Sequence, residues 1–524
     1  EKSDESSVER SVKDLVKEVQ DIASQVKTKN IVLYPYAHLS SNLSNPKTAV
    51  SILEAAEKSL KKKKFKVSRA PFGYYKEFEL KVKGHPLSEL SREIKVKGNS
   101  EEEVDYKKLL REISKSKLDT SKLKENDHRI LGQKMDLFSF NETAPGMVFW
   151  HNNGLTIYNE LTEFWRAMHK RGDYKEVRTP QILDKKLWQI SGHWEKYKDN
   201  IFLTKYEGRD FAVKPMSCPG GLLIFKNTPK SYKDLPLRVG ELGVVHRQEL
   251  SGVLAGLFRV IQFTQDDAHI FCTEKQIEEE ISNLISLVDL FYKKFDFEYQ
   301  VELSTRPEKR IGNDKIWDKA ENALETVLKK NNIKYKINKG DGAFYGPKID
   351  YHLKDSLKRT WQCGTIQLDF SMPERFNLVY RDEKSKDQRP VMIHNAIYGS
   401  LERFIGILLE HKNGKLPTWL APIQARVINF TDKNNKYCEK VIEELKEKIP
   451  MLRIDNDFDS VPLGGKIRNA ELMKIPFIIV VGDKEEEAGE IAIRTRGSKE
   501  IKKMKVSEFA EIIDKEIKER KKDK

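Results

Sequence analysis

The sequence predicts a multidomain protein of mixed α+β and α/β architecture. Three observations carry that reading. The chain has 524 residues, and at roughly 150 residues per domain that makes three or four domains. Residues 96–127 are dense in charge and almost without aromatic side chains, the composition of a solvated connector with one or two helical stretches. After Leu416-Pro417 and Ala421-Pro422, short strand-like and helix-like segments alternate, the pattern of a compact α/β domain. The expected divisions are a small α/β unit over 1–95, the connector over 96–127, a long aromatic-rich mixed region over 128–416, and an α/β domain over 417–524.

Each element has its own signature. Val12, Leu15, Val16, Val19, Ile22 and Val26 recur at helical spacing and predict a helix over 9–28. Residues 30–34 predict a strand, 48–64 a helix ending in four lysines, and 65–67 and 77–82 alternate like strands. In the long region, 238–249 and 259–269 predict strand, loop, strand, and 390–406 predicts strand, glycine turn and helix. In the last domain, strands are expected at 425–430, 451–456, 476–481 and 490–496, and helices at 435–448, 463–474 and 506–522. No internal repeat is visible.

Lys plus Arg outnumber Asp plus Glu by 95 to 81, a formal charge of +14. A basic surface suits a polyanionic partner such as nucleic acid; a generally lysine-rich proteome would give the same balance, and charge alone does not separate the two. Cys218, Cys272, Cys363 and Cys438 form no CxxC pair and no disulfide framework, which points to a reducing, intracellular compartment. No signal peptide opens the chain. The apolar run 477–481 is far short of the roughly 20 residues a membrane span needs. Glu1 rather than a methionine opens the sequence, so an N-terminal piece is expected to be missing.

Two segments carry chemistry. Arg238-Val-Gly-Glu241-Leu-Gly-Val-Val-His246-Arg247-Gln-Glu249 puts Arg247 at a strand end, where its rigid fork can hold a phosphate. Glu249, two residues on, can accept from an exocyclic amine such as adenine's. A surface hairpin with ordinary salt bridges fits the same pattern. In Pro390–Gly406, Gly399 makes the turn and Arg403 falls on the first turns of the helix, near enough to a sheet face to meet a nucleotide, or on a plain helix surface.

Together these segments resemble motifs 2 and 3 of the class II aminoacyl-tRNA synthetases. Tyr174-Lys-Glu-Val177-Arg-Thr-Pro180 resembles motif 1, whose proline lies at the dimer interface in that class. The likeness then narrows. Ala144-Pro-Gly-Met-Val-Phe-Trp-His151, Gly192-His-Trp194, Lys214-Pro-Met216-Ser-Cys218-Pro-Gly220, Gly342-Ala-Phe-Tyr-Gly-Pro-Lys348 and the stretches 263–274, 303–310 and 362–369 are similar, in the same order, to threonyl-tRNA synthetases. The resemblance runs nearly unbroken from 127 to 524. It implies a class II antiparallel-sheet catalytic core, an α/β anticodon-binding domain and a small α/β N-terminal editing-like domain. It further implies a cytoplasmic homodimer, joined through the motif 1 region, that activates L-threonine with ATP and transfers it to tRNA(Thr).

Roles follow from the resemblance position by position. Arg247 matches the arginine on the α-phosphate and the threonine carboxylate, Glu249 the adenine reader, and Arg403 the motif 3 arginine over adenine; Gln362 joins the ATP site, and Mg²⁺ accompanies the ATP. His193 matches a histidine near the tRNA's terminal ribose, where an imidazole titrating near neutral pH can act as a general base. Cys218, His269 and His394 match three ligands of one catalytic Zn²⁺ per subunit, which leaves a fourth position open. They lie on separate segments, so spacing cannot join them, and the local pair His269-x-x-Cys272 competes. Asp267 matches an acceptor for the substrate hydroxyl, with a sheet-edge salt bridge as its plain alternative. Met216, Gln265, Tyr345 and Gln367 match other walls of the threonine pocket.

Serine shares threonine's amine and hydroxyl, and a missing methyl is worth only about 1–3 kcal/mol, so a second, hydrolytic site is expected. Residues 31–39, 70–76 and 84–90 resemble the archaeal-type editing domain, with His38, Tyr75, Lys76 and Glu89 matching its site. That domain begins with further strands upstream, which this chain lacks before residue 9. The C-terminal domain resembles the anticodon-binding module shared by the glycyl, histidyl, prolyl and threonyl enzymes. Glu487 and Arg496 match its base readers, and Lys466, Arg468 and Arg494 add positive charge for the backbone. Two other classes remain as alternatives: an RNA-binding regulator that has lost catalysis, and a prolyl or histidyl synthetase without bound zinc.

Overall fold

The computed structural model describes residues 4–5, 7–36, 43–74, 79, 107, 109–110 and 123–522, and the chain divides into two compact units, 1–114 and 115–524. In the first unit, α1 (Val8–Gln25), β1 (Asn30–Leu33), α2 (Pro46–Lys62) and β2 (Lys66–Arg69) follow in order, and β1 pairs with β2 in parallel. Val12 and Val16 of α1 and Ala56 and Leu60 of α2 close over Leu33 and Val67. Helix α2 starts two residues before the expected position. The Asn45 side chain accepts from the backbone N–H of Thr48, and Pro46 follows it, so cap and first turn are set by those two residues. The strand expected at 77–82 falls outside the described residues.

The second unit is built on an eight-stranded and a five-stranded sheet, with smaller sheets beside them. Its elements are α3 (His128–Lys134), α4 (Asn152–Arg171), β3 (Lys175–Glu176), α5 (Cys218–Lys226), β4 (Leu237–His246), β5 (Gln262–Cys272), α6 (Ile277–Lys294), β6 (Glu298–Ser304), α7 (Asp314–Lys330), β7 (Tyr335–Asn338), β8 (Lys348–Lys354), β9 (Thr360–Asp369), β10 (Val391–Ala396) and α8 (Leu401–His411). The strands form one eight-stranded sheet in the order β7-β6-β8-β9-β10-β5-β4-β3. Its six central strands are antiparallel, and β7 and β3 join the edges in parallel. A three-stranded sheet, Ile182–Asp184, Leu203–Tyr206 and Arg209–Val213, stands apart.

One face of the large sheet is closed by helices. Ile157, Leu161, Phe164 and Trp165 of α4, Leu284, Val288 and Phe291 of α6, and Phe404 and Leu408 of α8 pack on Ile270, Ile366 and Ile393. The spacing of the α4 residues is that of one helical stripe. Gly240 of β4 has to be glycine there, because a Cβ would come within 2.6 Å of the Trp165 ring. The other face carries a smaller apolar layer around Leu222, Phe271, Tyr345 and Met392 and leaves room for a site.

The C-terminal sheet contains β11 (Ala425–Asn429), β12 (Ile454–Asp457), β13 (Phe477–Val481), β14 (Ile491–Thr495) and β15 (Ile501–Met504), in the order β12-β11-β13-β14-β15. Its helices are α9 (Asn435–Lys448), α10 (Leu463–Leu472), α11 (Asp483–Ala488) and α12 (Val506–Lys518). The expected strand at 451–456 begins later, at Ile454. The edge strand β15 and the short helix α11 had no sequence signal: Ile501-Lys-Lys-Met504 is largely exposed, and no side chain of Asp483–Ala488 is buried. Neither has the apolar period that pattern reading needs.

A buried ion pair sits beneath the open face. Lys214 Nζ donates to Glu241 Oε1 at 2.7 Å and to Thr179 Oγ1 at 2.9 Å, and Glu241 also accepts the backbone N–H of Thr179 at 2.9 Å. Both charged groups are almost without solvent contact, so each depends on the other for stabilisation. Lys214→Met is expected to destabilise the protein by about 3–5 kcal/mol through the stranded carboxylate, and Lys214→Met/Glu241→Leu to recover part of it; urea midpoints of the three proteins check this. His169, stacked on Trp165 at 3.9 Å, is held neutral by burial, which lowers its pKa to about 4. Unfolding restores a value near 6.5, so its contribution is complete above that pH and is lost as pH falls towards 4. His169→Phe is expected to flatten the decline of the thermal midpoint between pH 6.5 and 4, by an amount equivalent to about 3 kcal/mol.

Candidate metal and nucleotide site

The site is set by strand register. His269 on β5 lies directly opposite His394 on β10, His394 opposite Gln367 on β9, and Asp267 opposite Glu241 on β4. Side chains alternate between faces along a strand, so Gln265, Asp267 and His269 share the open face. Cys218 enters from the first residue of α5. The ligand atoms of Cys218, His269 and His394 all lie within 4.8 Å of one another, and all three residues are buried. Cys272 lies three residues beyond His269, an odd separation, and packs into the helix-covered core. The competing His269–Cys272 pair therefore falls on opposite faces.

The donor set fits a metal ion. His269 Nε2 is buried and has no hydrogen-bond partner among the described residues, with Asp267 Oδ1 standing 3.5 Å away. His394 Nε2 contacts Asp369 Oδ2 at 3.0 Å, a carboxylate–imidazole pair that leaves the other ring nitrogen for a ligand. Burial pushes the Cys218 thiol well above its ordinary pKa, with Asp267 and Asp369 adding to the effect. Burial, then Glu241 and Asp266, raises Asp267 to about 8. An environment this hostile to negative charge relaxes when a cation enters it.

A cavity of about 110 Å³ adjoins these groups, room for a few waters or one small molecule. Met216, Gln265, Asp267, Tyr345 and Gln367 all line it, with Cys218, His394 and Arg247. Gln265 Oε1 is another buried acceptor without a partner among the described residues. Gln362 does not line this cavity: its side-chain amide donates to Asp350 Oδ1 at 2.7 Å, and its backbone carbonyl accepts from Arg403 Nη1.

Arg247 follows β4 directly. Its Nε donates to the Pro215 carbonyl at 3.2 Å, and its guanidinium lies 5.0 Å from the Phe263 ring centre. Arg403 projects from α8, with Nε donating to the Phe258 carbonyl at 2.8 Å. Burial, then Arg259 and Arg247, lowers the Arg403 pKa, which marks three arginines crowded together. Glu249 is paired with one of them, Arg259, at 2.9 Å. Three cations against one carboxylate make a site for a polyanion. Arg259 stands in the motif quoted from the sequence, but nothing in its spacing singled it out.

His193 departs from its expected chemistry. It is fully buried, with Nδ1 2.8 Å from Ser191 Oγ and Nε2 3.0 Å from Met216 Sδ. Burial lowers its pKa to about 3, so it is a far weaker base at neutral pH than an exposed imidazole. Two buried carboxylates that pattern reading missed shape the surroundings. Asp266 accepts the backbone N–H groups of Ile397, Tyr398 and Gly399 at 2.8–2.9 Å, and Glu402 accepts that of Thr264 at 2.9 Å. Both fix the turn into α8, and their signal was only their position inside recognised motifs.

The remaining expected residues are dispersed. Glu487 is exposed on α11, and Arg496 follows β14, so the five-residue strand Ile491–Thr495 separates them. The Arg496 guanidinium donates to the carbonyls of Lys474 and Leu416, which ties up part of its fork. Lys466 is buried against Asn429 rather than presented to a nucleic-acid backbone, whereas Arg468 is exposed. His38, Tyr75, Lys76 and Glu89 lie outside the described residues.

Comparison with known proteins agrees with this geometry. Residues 202–412 match the family model of the tRNA synthetase class II core domain (G, H, P, S and T), residues 1–94 the archaea-specific editing domain of threonyl-tRNA synthetase, and residues 424–516 the anticodon binding domain. The threonine--tRNA ligase of Caldanaerobacter subterraneus subsp. tengcongensis is 54% identical over 394 residues, 75% of this chain and 61% of that protein. The chain thus spans about three fifths of the length of the curated relatives it matches. A crystal structure described as the RNA binding domain of threonyl-tRNA synthetase from Cryptosporidium parvum Iowa II superposes with a TM-score of 0.72 at 41% identity, covering 74% of this chain and 98% of that one. The putative threonyl-tRNA synthetase ThrRS-1 from Aeropyrum pernix gives 0.66 at 28% identity, covering 75% and 96%. With a class II core in which three metal-type ligand side chains converge beside an arginine cluster, this chain belongs to the threonyl-tRNA synthetase family.

Proposed function

We propose that this chain is a threonine–tRNA ligase. The carboxylate of L-threonine attacks the α-phosphorus of ATP, pyrophosphate leaves, and a terminal ribose hydroxyl of tRNA(Thr) then displaces AMP from the threonyl-adenylate. The observation that supports this most is that one cavity of about 110 Å³ is lined by Arg247 and by Cys218 and His394, two of three converging metal-type ligands whose third, His269, lies within 4.8 Å of them. One sulfur and two imidazole nitrogens suit Zn²⁺ with a position left open. Cys218, His269 and His394 would hold the zinc, which would supply Lewis-acid chemistry for threonine binding, and Mg²⁺ would accompany the ATP phosphates.

The chain's own residues do the rest. Arg247 holds the carboxylate against the α-phosphate and neutralises charge as the phosphorus becomes five-coordinate. Arg403 steadies the nucleotide from α8, and Glu249 meets the adenine amine once Arg259 turns to phosphate. Asp267 accepts from the substrate hydroxyl. Valine would leave that carboxylate unpaired, a defect worth about 10⁴-fold or more in discrimination. Serine leaves nothing unpaired and is rejected only weakly. His193, neutral and enclosed, holds the Met216 wall rather than taking the ribose proton at neutral pH.

Residues 1–94 are proposed to remove misloaded serine by hydrolysis, through His38, Tyr75, Lys76 and Glu89. Glu487 and Arg496 are proposed to read the anticodon, and motif 1 to join two copies in the cytoplasm, with the domain divisions expected from the sequence. Among the described residues no helix is long and apolar enough to cross a membrane.

Exchange of labelled pyrophosphate into ATP is expected with threonine and serine and not with valine. Exchange that ignores the added amino acid would sink the ligase reading and favour a binding protein. Metal analysis is expected to find one zinc per chain. Cys218→Ser is expected to lose zinc and threonine-dependent exchange together. Asp369→Asn, which removes the carboxylate behind His394, is expected to weaken zinc retention against a chelator by about 10–100-fold.

A further inference from the structure

A second buried cluster lies away from the cavity. His128, at the start of α3, is buried, and its Nδ1 lies 2.6 Å from Glu410 Oε1 near the end of α8. The backbone N–H of His128 donates to the same oxygen at 3.1 Å. His128 Nε2 accepts the backbone N–H of Leu257 at 3.0 Å. That amide can only donate, so Nε2 carries the lone pair and Nδ1 the proton. The other Glu410 oxygen is taken by Arg359, and Asp127 by Arg129. With every ring nitrogen and carboxylate already partnered, the cluster is a closed hydrogen-bonded chain and not a metal site.

Leu257 and Phe258 belong to the loop between β4 and β5, and the Phe258 carbonyl is the group that receives Arg403 Nε. The Phe258 ring lies between His128, 4.2 Å away, and Trp361, 4.3 Å away. Gly256, at φ +53°, brings the loop so close that a Cβ would fall 2.3 Å from His128 Nε2. On the far side, a Cβ at Gly406 of α8 would meet Leu257 and the Phe258 ring at 3.1 Å.

We infer that His128 is a positioning residue for the nucleotide: bridging Glu410 and the Leu257 amide, it pins the β4–β5 loop to α8 and so sets the carbonyl that aims Arg403. This rests on the reading of Arg403 as an ATP ligand. His128→Asn keeps a donor where Nδ1 points at Glu410 but removes the acceptor for Leu257; His128→Gln keeps an acceptor at the Nε2 end. By calorimetric titration with ATP, His128→Asn is expected to bind about tenfold more weakly, the worth of one hydrogen bond, and His128→Gln to recover most of the loss. In an Arg403→Ala background, His128→Asn is expected to have no further effect, because the two act in series. The threonine KM in pyrophosphate exchange is expected to stay within about twofold.

Gly256→Ala, in a loop rather than the core, crowds the same nitrogen and is the second variant if His128→Asn does not fold; the same Arg403-dependent loss is expected. Unchanged ATP affinity in the folded variant, or equal losses with and without Arg403, would overturn the inference. Failure of the ligase reading shows separately, as absence of threonine-dependent exchange in the unsubstituted chain, while ATP titration still reports on His128.

Discussion

The pairing of β5 with β10 fixes where the site can exist. With His269 opposite His394, and His394 opposite Gln367, three neighbouring strands present ligand-type side chains at one level of one face. Because the side-chain period is two, a slip of one residue would turn Asp267 and His269 into the helix-packed core and bring Asp266 and Ala268 out. The core resists that slip. Ile270 of β5 and Ile393 of β10 are wholly or almost wholly buried under the helices, and each would have to meet water or polar groups. Packing on the closed face therefore holds the chemistry of the open face in register.

The open face carries more buried charge than stability alone favours. Lys214 answers Glu241, but Asp267 and Asp369 lie close to the ligand histidines with no cation bonded to them among the described residues. Removing an ion from water costs several kcal/mol even after relaxation, and hydrophobic side chains of the same size would fold more readily. Such a surplus of carboxylate around a thiol and two imidazoles is understandable if a cation completes it. The Asp369–His394 contact then both orients the ring and raises its basicity towards a metal.

How far the sequence reveals this depends on where each signal lives. Helices α1, α9 and α12 and the strands around Arg247 follow from apolar period, because a stripe or alternation is local. The three ligands do not. They are separated by tens of residues, and only resemblance to a family joins them; the fold does so through register. Burial is the other quantity a string hides. His193 reads as an ordinary imidazole, but its enclosure lowers its pKa to about 3. Lys466 reads as a surface charge and lies buried on Asn429. The exposed edge strand β15 and helix α11 bury almost nothing, so they leave no apolar pattern to read.

Helix α8 shows why a recognised motif can still conceal most of its work. Its buried Phe404, Ile405, Leu408 and Leu409 announce an apolar helix. Glu402, Gly406 and Glu410, spaced by four, line one face of it. Glu402 holds the Thr264 amide of β5, Gly406 lets the β4–β5 loop lie flat against the helix, and Glu410 holds His128, which in turn holds that loop. Arg403 leaves the same helix beside Glu402 and is met by a carbonyl of the same loop. A guanidinium on a long, flexible stem loses much rotamer freedom when ordered. Here the cost is met in advance by a rigid helix and a loop clamped to it, so on the proposed reading a nucleotide reaching Arg403 would find the fork already aimed.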